Sequence, residues 1–221
     1  MTQDDWNKAR AAHERGDYAT AVALYRALAE AGSAPAQDSL GVMYESGLGV
    51  PKSYAEALKW YRRAADQGNH DAQNNLGVMY EHGHGVPRDP AVAVRWYRKA
   101  ADQGDTNAQH NLGNACQSGV GVAQDHVEAV AWYRKAAKAS HPMAQANLGV
   151  MYEHGHGVLQ DVVEAHKWYT LSAMTFRASE AKSRGLVIRN RDQLVARMTF
   201  LLWQARLHRR RTGRIRTLVI L

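Results

Sequence analysis

The sequence predicts an all-α fold: a right-handed superhelical α-solenoid of tandem helix-turn-helix repeats. Two observations carry this. Gly41, Gly77, Gly113 and Gly149 recur at intervals of 36 residues, and so do Trp60, Trp96, Trp132 and Trp168, and Ala57, Ala93, Ala129 and Ala165. Self-similarity at a fixed period of roughly 20–50 residues is the signature of such arrays. Within one copy, Ala72, Leu76, Met79 and Tyr80 fall at i, i+4, i+7 and i+8, one apolar stripe at helical period. A single helix pair cannot bury its own stripe, so neighbouring pairs must stack.

The elements follow in order. Residues 1–35 read as an N-terminal capping repeat, with Gly16-Asp17-Tyr18 at a turn that resembles a tetratricopeptide unit. Four full repeats follow at 36–71, 72–107, 108–143 and 144–176. In each, the first helix ends at a Gly-x-Gly turn such as Gly83-His84-Gly85, where glycine permits positive φ. The second helix opens at Ser53, Asp89, Asp125 or Asp161. Glu56, Glu128 and Glu164 stand three residues after the first, third and fourth of these, which is capping-box spacing; Pro90 takes the first turn in the second repeat. Gly77 and its counterparts lie inside first helices at a cost of about 1 kcal/mol each against alanine. Close helix crossings that no side chain would fit are the expected reason. Residues 177–205 are expected to form C-terminal capping helices, and 206–221 a disordered basic tail.

The chain has 221 residues, 45% hydrophobic and 22% charged, enough for a sizeable core. One cysteine, Cys116, cannot form an internal disulfide, so no oxidising compartment is implied. The opening Met1-Thr2-Gln3-Asp4-Asp5-Trp6 lacks the features of a signal peptide. No apolar run approaches the ~20 residues that span a bilayer, so a cytoplasmic location is expected. The net charge of +7 is uneven: residues 1–176 carry 16 Lys and Arg against 19 Asp and Glu, and residues 177–221 carry 12 against 2. The body is mildly acidic and the end strongly basic.

The pattern Ala-Gln-x-x-Leu-Gly-x-x-Tyr-x-x-Gly-x-Gly-Val, followed by Asp-x-x-x-Ala-x-x-Trp-Tyr-x-x-Ala-Ala, resembles the Sel1-like repeat, a relative of the tetratricopeptide repeats. The resemblance covers residues 36–173 and extends toward residue 6 through the N-terminal unit. It implies an adaptor that assembles other macromolecules, as in bacterial signalling, envelope processes and host interaction, or in eukaryotic protein quality control. A cysteine-rich branch of the family is linked to β-lactam binding or hydrolysis through repeats stapled by Cys pairs. With Cys116 alone, nothing of that branch carries over. Cys116 aligns with Tyr44, Tyr80 and Tyr152 and reads as inert packing.

Candidate chemistry is sparse. The tryptophan ladder reads as repeat core in preference to a stacking platform for bases or sugars. His82 and His84, and His154 and His156, form His-x-His pairs in two turns; these are weak metal-ligand candidates, without a cysteine or nearby carboxylate to complete a shell. The Gly-x-Gly turns lack the rest of a phosphate loop, and no Gly-x-Ser-x-Gly or His-Glu-x-x-His occurs. No catalytic residue, resident metal or cofactor is expected, and a cell-wall or β-lactam hydrolase is the disfavoured alternative.

Binding is expected on the concave face of the first helices. There Asp38, Glu45, Asn74, Asn75, Glu81, His110, Asn111, Asn114, Asn147 and Glu153 lie outside the core stripe. Asn75, Asn111 and Asn147 form a ladder. Amides suit an extended peptide backbone, and equally suit a bond to the neighbouring helix. The glutamates favour basic ligands. A second alternative is nucleic-acid or anionic-membrane binding through Arg206, Arg209, Arg210, Arg211, Arg214 and Arg216. The change of character after Met198-Thr199 also suits a shifted reading frame near residue 199. The sequence is best read as a monomeric protein-interaction scaffold holding a peptide or partner domain.

Overall fold

The computed structural model describes the backbone of residues 3–212 and the side chains of residues 4–200. Among them are eleven α-helices, one 3-10 turn and no strand. Two compact units divide the chain, Met1–Gln124 and Asp125–Leu221. The first holds α1 (Gln3–Glu14), α2 (Tyr18–Glu30), α3 (Ala34–Ser46), α4 (Tyr54–Asp66), α5 (His70–His82), α6 (Pro90–Asp102) and α7 (Thr106–Ser118). The second holds α8 (His126–Lys138), α9 (Pro142–His154), α10 (Val162–Thr175) and α11 (Ala181–Thr212). No helix among the described residues is long and apolar enough to cross a membrane.

The predicted stripe is the core. Leu40, Leu76, Leu112 and Leu148 are fully buried at the same place in successive first helices, with Tyr61, Tyr97, Tyr133 and Tyr169 in the second helices. The amphipathic period therefore explains which face each helix hides. Burying each leucine contributes roughly 1.5–3 kcal/mol.

The starts of the second helices follow the expected capping. Ser53 accepts the Glu56 N–H at 3.3 Å, Asp89 that of Val92 at 3.0 Å, and Asp125 and Asp161 those of Glu128 and Glu164 at 2.9 Å. Each such cap contributes about 1 kcal/mol. The return arm of the expected box has another use. Glu128 and Glu164 accept the indole N–H of Trp132 and Trp168, at 3.1 and 3.0 Å. Glu56 pairs instead with Lys59, and the buried Trp60 Nε1 finds no hydrogen-bond partner among the described residues.

The Gly-x-Gly turns do two jobs. Gly83 ends α5 at φ +73°, its N–H bonding the Met79 carbonyl. Gly85, at φ +69°, abuts the first turn of α4 in the preceding repeat, where an added Cβ would stand 3.0 Å from the Tyr54 carbonyl. In the second unit the corresponding Gly157 is tighter still, where an added Cβ would stand 2.2 Å from the His126 carbonyl oxygen. The second glycine thus seats one repeat on the next.

α11 departs from the expected boundaries. It takes the place of a sixth first helix, with Gly185 a further 36 residues after Gly149. First helices α3, α5, α7 and α9 each stop after 13 residues at a left-handed glycine. The aligned position in α11 is Arg191, so the helix runs on for 32 residues, past residue 205 and through Met198-Thr199, to Thr212. Residues 213–221 lie outside the described residues, as do the side chains of Arg206, Arg209, Arg210 and Arg211, and all of Arg214 and Arg216.

Candidate interaction face

The exposed side of the first helices is built on polar bonds between repeats. Asn75 donates to Asp38 at 2.9 Å, and Asn111 donates to Asn74 at 3.0 Å. Both bonds span 37 residues, one repeat and one position, so they stitch α5 to α3 and α7 to α5. Asn74 is buried; Asp38, Asn75, His110 and Asn111 are half-buried, and Asn114 is exposed. In the second unit Asn147 is half-buried. Asn75 and Asn111 therefore have their amides engaged by a neighbouring helix.

Burial pushes the Asp38 carboxyl up to about 6, with Asn75 opposing and Asp71 and Asp105 adding to the rise. Sequence reasoning missed these neighbours. His70 Nδ1 lies 3.2 Å from Asp105 Oδ2, bridging the starts of α5 and α7, while Asp105 Oδ1 caps α7 through the Ala108 N–H. His70, Asp71 and Asp105 bring ligand atoms within 4.8 Å of one another.

The glutamates have a shared architecture. Tyr61 donates to Glu45 at 2.8 Å, Tyr97 to Glu81, and Tyr169 to Glu153 at 2.7 Å. The same three rings lie flat against Gly41, Gly77 and Gly149, where a Cβ would stand 2.4–2.7 Å from ring carbons. Glycine inside the helix is required by the tyrosine that crosses it, as the expected close approach anticipated. Burial drives these three hydroxyls well above the usual phenol range, and the glutamates drive them further. They are permanent donors at any ordinary pH.

What faces each glutamate differs. His84, stacked on Tyr54 with ring centroids 4.3 Å apart, places its buried Nδ1 3.9 Å from Glu45. Arg197 of α11 pairs with Glu153. This pair lies in a cavity of about 520 Å³ whose walls include Tyr169, Asn190 and Gln193. Glu81 lines a smaller pocket, about 170 Å³, with Arg88, Tyr97, Asn114, Ser118 and Val120.

The His-x-His turns are wedges as much as loops. His84 is half-buried, whereas His82, His154 and His156 are exposed. His156 stacks on His126, 5.2 Å between centroids, a partner that sequence reasoning did not single out. None of the four His-x-His residues belongs to the group of three that brings ligand atoms together. The tryptophans are core with a charged cover: Trp60 and Trp132 are buried, and Lys135 lies 3.7 Å above the Trp132 ring. Cys116 is fully buried.

Another missed feature is the buried glutamine of each Ala-Gln pair. Gln37, Gln73, Gln109 and Gln145 donate to the Ala29, Ala65, Ala101 and Ala137 carbonyls at the ends of the preceding second helices. Its recurrence every 36 residues was the available signal.

The comparisons agree with this geometry. The profile of the Sel1 repeat matches residues 12–33, 34–69, 70–105, 106–141 and 142–174. A protective antigen of uropathogenic Escherichia coli with an SLR fold is 39% identical, with a TM-score of 0.68; the match covers 72% of this chain and 34% of that one. The present chain thus spans about a third of that relative. A Sel1 repeat protein from Oxalobacter formigenes is 34% identical over 78% of this chain and 69% of that one, with a TM-score of 0.72. No curated protein matches. Five matched repeats, all helical and carrying the same recurring buried positions, make this chain a member of the Sel1 repeat family, of the α-solenoid class.

Proposed function

We propose that the chain is a protein-interaction scaffold, binding a peptide or partner domain on the exposed face of its first helices without catalysing a reaction. Sel1 repeat proteins generally serve as interaction scaffolds. The observation that carries the reading is the contrast between the two sides of those helices. Leucine and alanine positions repeat and are buried, while three aligned positions outside the core each change in one repeat and keep partial exposure: Ser39 against Asn75, Asn111 and Asn147, Asn114 against Val42, Val78 and Val150, and Gln117 against Glu45, Glu81 and Glu153. A varying, partly polar surface on a fixed scaffold is the arrangement that repeat proteins use for recognition. The polar stitches hold the backbone of that face in place, which lowers the ordering cost of binding.

The test is affinity capture read by mass spectrometry, with the full chain and a Val42→Arg/Val78→Arg variant as baits. Both valines are half-buried, and Val42 also packs against the α4–α5 core, so a thermal melt accompanies the capture, and the folded variant is expected to lose the partners of the wild type. Equal partner sets from both baits would contradict the reading.

A further inference from the structure

Three glutamates in this molecule are held alike, and two already face a cationic or protonatable group from their own chain. Glu153 accepts Tyr169 on one oxygen and pairs with Arg197 on the other. Glu45 accepts Tyr61 on one oxygen, with His84 Nδ1 3.9 Å from the other. Glu81 accepts Tyr97 on Oε2. Among the described residues no lysine, arginine or histidine lies within ion-pair distance of its carboxylate. The position that supplies His84 opposite Glu45 is Val120 opposite Glu81, one repeat on, and it is 40% exposed. Resting on the scaffold reading above, we propose that the α5–α6–α7 pocket is a subsite for an arginine side chain of the bound peptide, with Glu81 as the acceptor.

The chemistry follows from the internal example. Tyr97 fixes the carboxylate, and burial holds its hydroxyl protonated well above the usual phenol range, so the acceptor is oriented in advance. Half-burial of Glu81 strengthens its attraction for a cation relative to a fully solvated carboxylate. Guanidinium is the cation suited to such a site: it is planar, weakly hydrated and always charged. Asn114 and Ser118 place further polar groups on the wall. Arg88 lines the rim, with its Nε donating to the Glu81 main-chain carbonyl at 2.9 Å. Gln124 and Gln160 cap the corresponding carbonyls of Gln117 and Glu153, so glutamine can replace Arg88 in that bond. Arg88 therefore weakens the subsite by repulsion without being needed to build it.

The experiment is a fluorescence anisotropy titration of a fluorescein-labelled peptide of alternating alanine and arginine, beside its citrulline counterpart. The wild-type chain is expected to bind the arginine peptide at least tenfold more tightly than the citrulline one. Glu81→Gln is expected to remove that preference. Val120→Arg, which supplies a guanidinium from within, is expected to weaken binding tenfold with Glu81 intact. Arg88→Gln is expected to tighten it about threefold. Matching thermal melts separate these effects from loss of fold. No binding to the wild type, equal affinity for both peptides, or full affinity in Glu81→Gln and Val120→Arg would overturn the proposal. If Glu81→Gln keeps its affinity while Val42→Arg/Val78→Arg loses it, the scaffold reading stands and this pocket is the wrong one; if both keep it, both readings fall. Self-association of the wild type that disappears in Glu81→Gln, read by sedimentation, would put a second copy there and overturn the peptide assignment.

Discussion

α5 and α11 carry the same inner glycine, and their surroundings could hardly differ more. Around Gly77 the ring of Tyr97 fills the space a side chain would take, and its hydroxyl reaches Glu81 one turn further along. Around Gly185 nothing lies within 4 Å, and Arg189 stands where the glutamate would be. α5 ends at Gly83 after 13 residues; α11 has no glycine at that place and continues. The glycine is thus one half of a lock whose other half is a tyrosine from the following helix. At Gly185, where no such tyrosine packs among the described residues, the glycine is an ordinary weak point in a long helix.

The sharpest way to break this comparison is to add one methyl at each glycine. Gly77→Ala puts a Cβ 2.4 Å from the Tyr97 ring and is expected to cost about 2–3 kcal/mol by overpacking, read by urea unfolding. If it is neutral, the lock is wrong. Tyr97→Phe is expected to cost roughly 1–2 kcal/mol, because Glu81 loses its donor. Tyr169→Phe should cost less, since Arg197 still pairs with Glu153; a larger loss there would deny the role given to Arg197.

A third test uses pH. The folded Asp38 carboxyl is raised to about 6, above its ordinary value, chiefly by burial. The folded state therefore holds this proton where the unfolded chain has released it, and Asp38's contribution to stability falls as pH rises from about 4 to 6. Asp38→Asn keeps an acceptor for Asn75 and is expected to gain about 1 kcal/mol over wild type at pH 7, the gain vanishing at pH 4. A gain that does not change with pH would remove the assignment. The smallest effect is at the open glycine: Gly185→Ala is expected to stabilise α11 by about 0.5–1 kcal/mol.

Much of the fold was legible because a repeat must present the same volume to its neighbours. Leu76, Ala93 and Tyr97 recur for that reason, and the period exposes them. The interaction face was legible only as a set of positions. Asn75 and Glu81 were visible as non-core residues, but their partners lie 37 and 16 residues away on other helices, which periodicity alone cannot pair. The clue was there in principle: Glu45, Glu81 and Glu153 recur in step with Tyr61, Tyr97 and Tyr169. The reach of α11 was harder to foresee, since it depends on an absent glycine at position 191, not on a residue that announces itself. His126 was missed because the aligned residues, Tyr54, Pro90 and Val162, share no chemistry with it.

The most direct test of the scaffold account is site-specific photo-crosslinking in the native host of the chain. A photoreactive amino acid at Val78, half-exposed on the α5 face, is compared with one at Leu159, 92% exposed in the turn before α10. The account predicts discrete crosslinked adducts from position 78 and none from position 159. Adducts from position 159 with none from position 78 would contradict it.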